Sequence, residues 1–143
     1  MLRLSLAAVT LFLILATGGC SAQGPQFVET DNTYTEATVM SLVDTVDTSK
    51  LAKTPSTEAA ELRHKALTAL RTRGGSAIGV ANLLTRTFPA DTHGVPVYFE
   101  LAKYKDKNAV IVIEAAGPST GALTAKRIWV LDEAGEVLFV GGK

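Results

Sequence analysis

Four ionisable residues in the second half of the chain could take part in catalysis. Asp91 and His93 stand close together in the segment ADTHG, and an acid beside an imidazole can transfer a proton. Glu100 and Glu114 lie in two later apolar segments, and two carboxyl groups about 5–10 Å apart can hydrolyse a glycosidic bond. The sequence thus permits a hydrolase that uses Asp91 and His93 with Glu100 or Glu114. Because loop histidines and acids on an open sheet face usually serve solubility, we favour a protein that is not an enzyme.

The rest of the composition argues against several other functions. The segment GGSAIG, residues 74–79, has glycines at the spacing of a phosphate-binding loop, but Val80 stands where that loop needs a lysine. One cysteine and two histidines are too few for the usual structural zinc site. The 14 basic and 14 acidic residues balance, which argues against a nucleic-acid partner. We therefore expect no cofactor, no metal and no nucleic acid.

Aromatic and acidic residues in the predicted strands indicate a ligand-binding face. Alternation places Tyr98 beside Glu100, and we expect Glu114 and Trp129 to lie with them on the outer face of the sheet. The opposite face, under the helices, would then hold Phe99, Ile113 and Val130. A tryptophan supplies contact area and a carboxylate orients a polar ligand. The alternative, which we favour, is that the segment Val39–Val46 folds over this face and that Trp129 is a core residue.

The elements that would position these residues begin with helices. Thr33–Val46 has apolar residues at helical spacing, with Thr33 and Glu36 spaced as a capping box. Pro55–Arg73 has a proline at the first helical position and ends before two glycines. Ser76–Thr87 indicates a third helix that ends before Pro89.

One charged residue falls inside the apolar stripe of the helix predicted over Pro55–Arg73. Arg63 lies between the directions of Leu62 and Leu67. We expect its stem to pack against the sheet while its head reaches water. The alternative is a buried ion pair with a carboxylate of the sheet, because an unpaired buried guanidinium would cost several kcal/mol.

From Val95 onward the pattern is typical of strands. Four β-rich segments, VPVYFELAK, AVIVIEA, KRIWVL and EVLFVG, are separated by turn-like sequences. Short connections between successive strands indicate an antiparallel meander. The predicted fold class is therefore α+β, with two or three helices packed on one face of a four-stranded antiparallel β-meander.

The N-terminal 19 residues have the layout of a secretory signal, with Arg3, an apolar run over 4–16 and then small residues. The sequence TGGC followed by Ser21 resembles the lipobox of bacterial lipoproteins, with Thr17 at a position that is usually aliphatic. The resemblance implies that Cys20 receives a diacylglyceryl group and that the chain is cut just before it. Two acyl chains hold a protein stably on a membrane, whereas one holds it only marginally. The alternative is an ordinary secretory cut near Ser21, which would release a soluble protein.

These inferences predict a signal peptide over 1–19, a lipidated cysteine with a flexible tether over 20–32, and one α+β domain over 33–143. We expect the domain to lie on the extracytoplasmic side of the cell membrane. There it would bind an envelope protein, a cell-wall component or a small molecule without catalysis. A purely structural envelope lipoprotein is a further alternative.

Overall fold

The computed structural model describes residues 24–88 and 93–143. The predicted signal peptide, Cys20 and Asp91 lie outside these residues. The described chain forms an α+β domain with three helices and a five-stranded mixed sheet in the order β1-β2-β3-β4-β5. In chain order the elements are β1 (Gln26–Tyr34), α1 (Glu36–Thr45), α2 (Ala59–Thr72), α3 (Ser76–Thr87), β2 (Gly94–Tyr104), β3 (Lys107–Ala116), β4 (Ala125–Asp132) and β5 (Val137–Gly142).

The predicted meander is present, because β2 to β5 pair antiparallel in sequence order. The turn between β2 and β3 consists of Lys105 and Asp106, both with positive φ. Positive φ at both central residues gives a two-residue hairpin the twist that matches its strands. In the turn between β4 and β5, Gly135 also has positive φ, and the Asp132 carboxylate accepts hydrogen bonds from two backbone amides.

The prediction of a flexible tether over residues 20–32 is wrong from Gln26 onward. Residues 26–34 form β1, which pairs parallel to β2 at the edge of the sheet. Its sequence gives no clear alternation because the ladder is interrupted between Glu29 and Thr33. Two side chains of β1 help to hold the strand in place. Phe27 packs against the core, and Thr30 donates a hydrogen bond to Glu100.

The helices cover both faces of the sheet, so the prediction that they share one face is wrong. On one face, called the α2/α3 face, these two helices pack against four apolar strand residues: Phe99, Val110, Val112 and Leu131. On the other, called the α1 face, Val39 and Val43 pack against residues that include Ile111, Ile113 and Val130. The β3 strand is therefore buried on both sides, as its unbroken apolar sequence requires.

The helix boundaries differ from the predicted ones by a few residues. The capping box of α1 uses Thr35 and Thr38, because each accepts a hydrogen bond from the backbone amide of the other, rather than Thr33 and Glu36. A single 3₁₀ turn over Ser56–Glu58 follows Pro55, so α2 begins at Ala59. The segment before α3 is an interhelical turn in which Gly74 and Gly75 both have positive φ, a conformation that glycine adopts without steric cost.

Candidate functional site

The four residues predicted to share an outer face are divided between the two faces of the sheet. Tyr98 and Glu100 lie on the α1 face, whereas Glu114 and Trp129 lie on the α2/α3 face. The register explains the difference, because the two-residue turn at Lys105 and Asp106 fixes the pairing of β2 with β3 and places Phe99 opposite Val112 rather than opposite Ile113. A shift of one residue moves every side chain of a strand to the opposite face. The four residues therefore form two separate clusters.

The first cluster is built around Glu100, which is almost completely buried. Its carboxylate accepts hydrogen bonds from the hydroxyls of Thr30 at 2.5 Å, Tyr98 at 2.7 Å and Tyr34 at 3.1 Å. Burial and the interactions with Glu100 raise the pKa of Tyr98 above its usual value. Because Thr30 and Tyr34 belong to β1, this network links the edge strand to β2. The role of its hydroxyl donors is therefore structural.

The second cluster is built around Glu114, whose side chain is fully buried on the α2/α3 face. Its Oε1 lies 2.9 Å from the indole nitrogen of Trp129 and 2.9 Å from Nε of Arg127. Burial raises the pKa of Glu114, although the hydrogen bond from Trp129 and the charges of Arg127 and Arg63 act in the opposite direction. Among the described residues, Oε2 has no hydrogen-bond partner.

Gly94 makes room for this carboxyl group. A Cβ atom built on Gly94 would lie 2.3 Å from Oε2 and 2.6 Å from Oε1 of Glu114. Such distances are well below van der Waals contact, so no residue larger than glycine fits without moving Glu114. The start of β2 is thereby packed against the acid, and His93, half-buried, precedes it.

Arg63 is buried, so the expectation that its head reaches water is wrong. The guanidinium donates from Nε and Nη2 to the carbonyl oxygen of Gly94, at 3.2 and 3.1 Å. It also lies over the ring of Phe88, 5.6 Å from the ring centroid. The alternative, a buried ion pair with a sheet carboxylate, is right that the guanidinium is buried, and the charge of Arg63 opposes the rise in the pKa of Glu114 that burial causes.

On this part of the α2/α3 face, two aromatic rings are in contact and an arginine lies over each of them. Arg127 lies over the Trp129 ring at 5.6 Å, Trp129 meets Phe88 edge to face at 5.5 Å, and Arg63 lies over Phe88. Trp129 is half-buried and packs against the core beneath α2 and α3. The segment Val39–Val46 covers the sheet as anticipated, but on the Tyr98 side rather than over Trp129.

Two of the acids named for the alternative hydrolase, Glu100 and Glu114, do not form a carboxylate pair. Glu100 and Glu114 lie on opposite faces of the sheet, so they cannot act on the same bond. Asp91 lies outside the described residues. The backbone carbonyl of His93 accepts a hydrogen bond from the amide of Gly117.

The most exposed apolar side chains of the sheet lie on β5, which sequence reasoning did not single out. Val137 and Val140 are 47% and 45% exposed. Val140 is paired with Trp129 on β4, so both lie on the α2/α3 face beyond the cover of α3. We call Val137, Val140, Trp129, Arg127 and the outer backbone edge of β5 the β5 surface. The sequence contained a signal for this surface, because the last strand of a predicted meander is expected to lie at the edge of the sheet.

A groove of about 530 Å³ continues the β5 surface at the end of the strand. Its lining includes Arg127, Val140, Gly142 and Lys143. The charges are partly compensated, because Arg127 bonds to Glu114 and Lys143 to Asp44 of α1. Across residues 24–88 and 93–143, no cluster of three or more acidic, histidine or cysteine side chains is placed to bind a metal ion.

Comparison with known proteins gives no assignment. The chain matches no protein-family model, and it has no significant similarity to a curated protein or to a solved structure. None of the helices in the described part of the chain is long and apolar enough to cross a bilayer.

Proposed function

We propose that this protein is a non-catalytic interaction domain, held at the extracytoplasmic face of the cell membrane by a lipid on Cys20. The domain binds a protein partner through the β5 surface. The observation that carries this proposal is the exposure of Val137 and Val140 on an edge strand, beside the half-buried Trp129. A hydrolase that uses Glu100 and Glu114 as a pair is not proposed, because these two glutamates lie on opposite faces of the sheet.

The chemistry of the β5 surface supports protein binding. An edge strand presents unpaired backbone groups, and an extended chain can add to it as a further strand. Completing the burial of each half-exposed valine would contribute about 1 kcal/mol. Tryptophan and arginine are enriched among residues that dominate binding energies, and Trp129 and Arg127 stack on each other here. The surface therefore combines main-chain bonding capacity with apolar side-chain contacts.

The proposal can be tested by site-specific photocrosslinking in intact envelopes. A photocrosslinking residue at Val140 should give a discrete protein adduct, because this position would be buried by the partner. The matched control is Ile78, which is also apolar and 42% exposed but lies on α3. Val140→Lys should abolish the adduct obtained from a photocrosslinking residue at position 137. Equal labelling from positions 140 and 78, or an adduct that survives Val140→Lys, would contradict the proposal.

A further inference from the structure

Within residues 24–88 and 93–143 no strand pairs with the outer edge of β5, so backbone groups there point out of the sheet at defined positions. Lys126 and Lys143 exchange both of their backbone hydrogen bonds, at 2.8 and 3.0 Å. In an antiparallel pair such residues alternate with others whose amide and carbonyl groups point away from the neighbouring strand. Counting back along the ladder, the groups of Val140 and Gly142 therefore point away from β4 and out of the sheet.

The side chains of β5 alternate between the two faces of the sheet, which determines the side chains that a sixth strand would contact on each face. Val140 and Gly142 lie on the α2/α3 face, opposite Trp129 and Arg127, whereas Phe139 lies on the α1 face, opposite Val130. The ladder shifts by one residue at Leu138, so Val137 also lies on the α2/α3 face. Glu136 and Lys143 mark the two ends of the strand, and Lys143 reaches Asp44 of α1.

We infer that two copies of this chain pair through β5, antiparallel and about a two-fold axis at Val140, to form one continuous ten-stranded sheet. This inference rests on the proposed function and names the partner at the β5 surface. About that axis, Val140 faces Val140 of the second copy, and the outward groups of β5 face identical groups. A two-fold interface of this kind needs a surface that complements itself.

The sequence of β5 is complementary to itself in this register. Phe139 falls opposite Gly141 of the second copy, and Val137, after the ladder shift, falls opposite Gly142. Phe139 and Val137 therefore each meet a glycine. At one end of the strand Glu136 falls opposite Lys143 of the second copy, and the two-fold axis repeats this pair at the other end. An acid directly opposite a base stabilises a strand pair, whereas like charges there would destabilise it.

The other edge of the sheet is protected against the same pairing. The β1 ladder is interrupted between Glu29 and Thr33, and the exposed acids Glu29 and Asp31 lie along the strand. Irregular ladders and charged side chains are the features by which edge strands avoid pairing with other chains. The β5 strand also has one shift, at Leu138, but its ladder is regular from Phe139 to Gly142 and no charged side chain lies between Val137 and Gly142. The geometry thus favours one edge for association.

Disulfide trapping tests the register directly, because Cys20 is the only cysteine of the chain. In the full-length chain, where the proposed lipid blocks the thiol of Cys20, Val140→Cys should form a covalent dimer on mild oxidation of envelopes. The Cα atoms of facing hydrogen-bonded residues lie about 5.5 Å apart, within the range that a disulfide spans. Ile78→Cys, equally exposed on α3, is the matched control and should stay monomeric. No dimer from Val140→Cys, or equal dimer from both variants, would overturn the inference.

A charge exchange provides an independent readout. Glu136→Lys places two lysines opposite each other at each end of the pair, so the yield of trapped Val140→Cys dimer should fall about tenfold. Adding Lys143→Glu should restore that yield, since the opposite charges then face each other again. A yield that Glu136→Lys leaves unchanged, or that the second substitution does not restore, would contradict the register. A photoadduct of different mass at Val140, without a disulfide dimer, would refute self-pairing while leaving the proposed function intact. The absence of both would refute both.

Discussion

Gly94→Ala should destabilise the protein severely, because the new methyl group would overlap the buried carboxyl group of Glu114. The distances of 2.3 and 2.6 Å between that Cβ and the two carboxyl oxygens require Glu114 to move. Overpacking of a core costs about 1–3 kcal/mol. If Glu114 rotates away, it also gives up its bonds to Trp129 and Arg127, and a lost charge-assisted bond costs about 1.5–3 kcal/mol. We expect a loss of about 3–5 kcal/mol in the free energy of unfolding.

Urea denaturation followed by tryptophan fluorescence measures this loss, since Trp129 is the only tryptophan and lies in the affected cluster. The matched control is Gly79→Ala in α3, where a Cβ would meet no heavy atom within 4 Å. That change should stabilise the protein by up to about 1 kcal/mol, because alanine favours helix over glycine. The double variant Gly94→Ala/Glu114→Ala should lose less than the sum of its parts, since the overlapping carboxyl group is gone. A free energy of unfolding for Gly94→Ala within about 0.5 kcal/mol of the parent would contradict the predicted overlap. So would a double variant whose loss equals the sum of the losses of Gly94→Ala and Glu114→Ala.

Four further changes test other parts of the structure. Trp129→Ala should cost about 3 kcal/mol in urea denaturation followed by circular dichroism, because packing and the bond to Glu114 are both lost; a neutral result would show that the ring contributes little. Tyr98→Phe should cost about 1–2 kcal/mol, and an unchanged midpoint would mean that Glu100 does not depend on this hydroxyl. The raised pKa of Glu114 means that the folded state holds this proton more tightly than the unfolded state, so stability should decline as pH rises above about 4.5, the ordinary value. Glu114→Gln should flatten that decline, and an identical pH profile in the variant would assign it to another group. Cys20→Ser should leave an unprocessed precursor that no longer incorporates labelled acyl chains, whereas normal maturation to a product beginning near position 23 would contradict lipidation.

The meander and the three helices could be predicted because their signals are local. The unbroken apolar run of β3, the turn-like sequence between β2 and β3, and the glycines after α2 act within a few residues. The assignment of side chains to faces could not be predicted, because it depends on register across strands. The turn at Lys105 and Asp106 pairs Phe99 with Val112, and this register separates Tyr98 and Glu100 from Glu114 and Trp129.

Elements that depend on distant contacts were also beyond the sequence. β1 contains few alternating apolar residues, and it is a strand because it pairs with β2, about 70 residues later, where Glu100 also accepts a hydrogen bond from Thr30. Arg63 falls inside the apolar stripe of its helix, and the carbonyl of Gly94 and the ring of Phe88 contribute to the buried environment of its guanidinium. Both cases concern polar side chains whose partners are supplied by the tertiary fold.

The placement of β1 and β5 at opposite edges has a consequence for how the protein would stand on a bilayer. β1 begins only six positions after Cys20, so a lipid on that cysteine keeps this edge within about 20 Å of the membrane. β5 lies four strand spacings away, at about 19 Å across the sheet. In a pair joined through β5, the two β1 edges would be nine spacings apart, or about 43 Å. The pair would then be attached to the membrane by one lipid at each end, with the β5 interface between the two points of attachment.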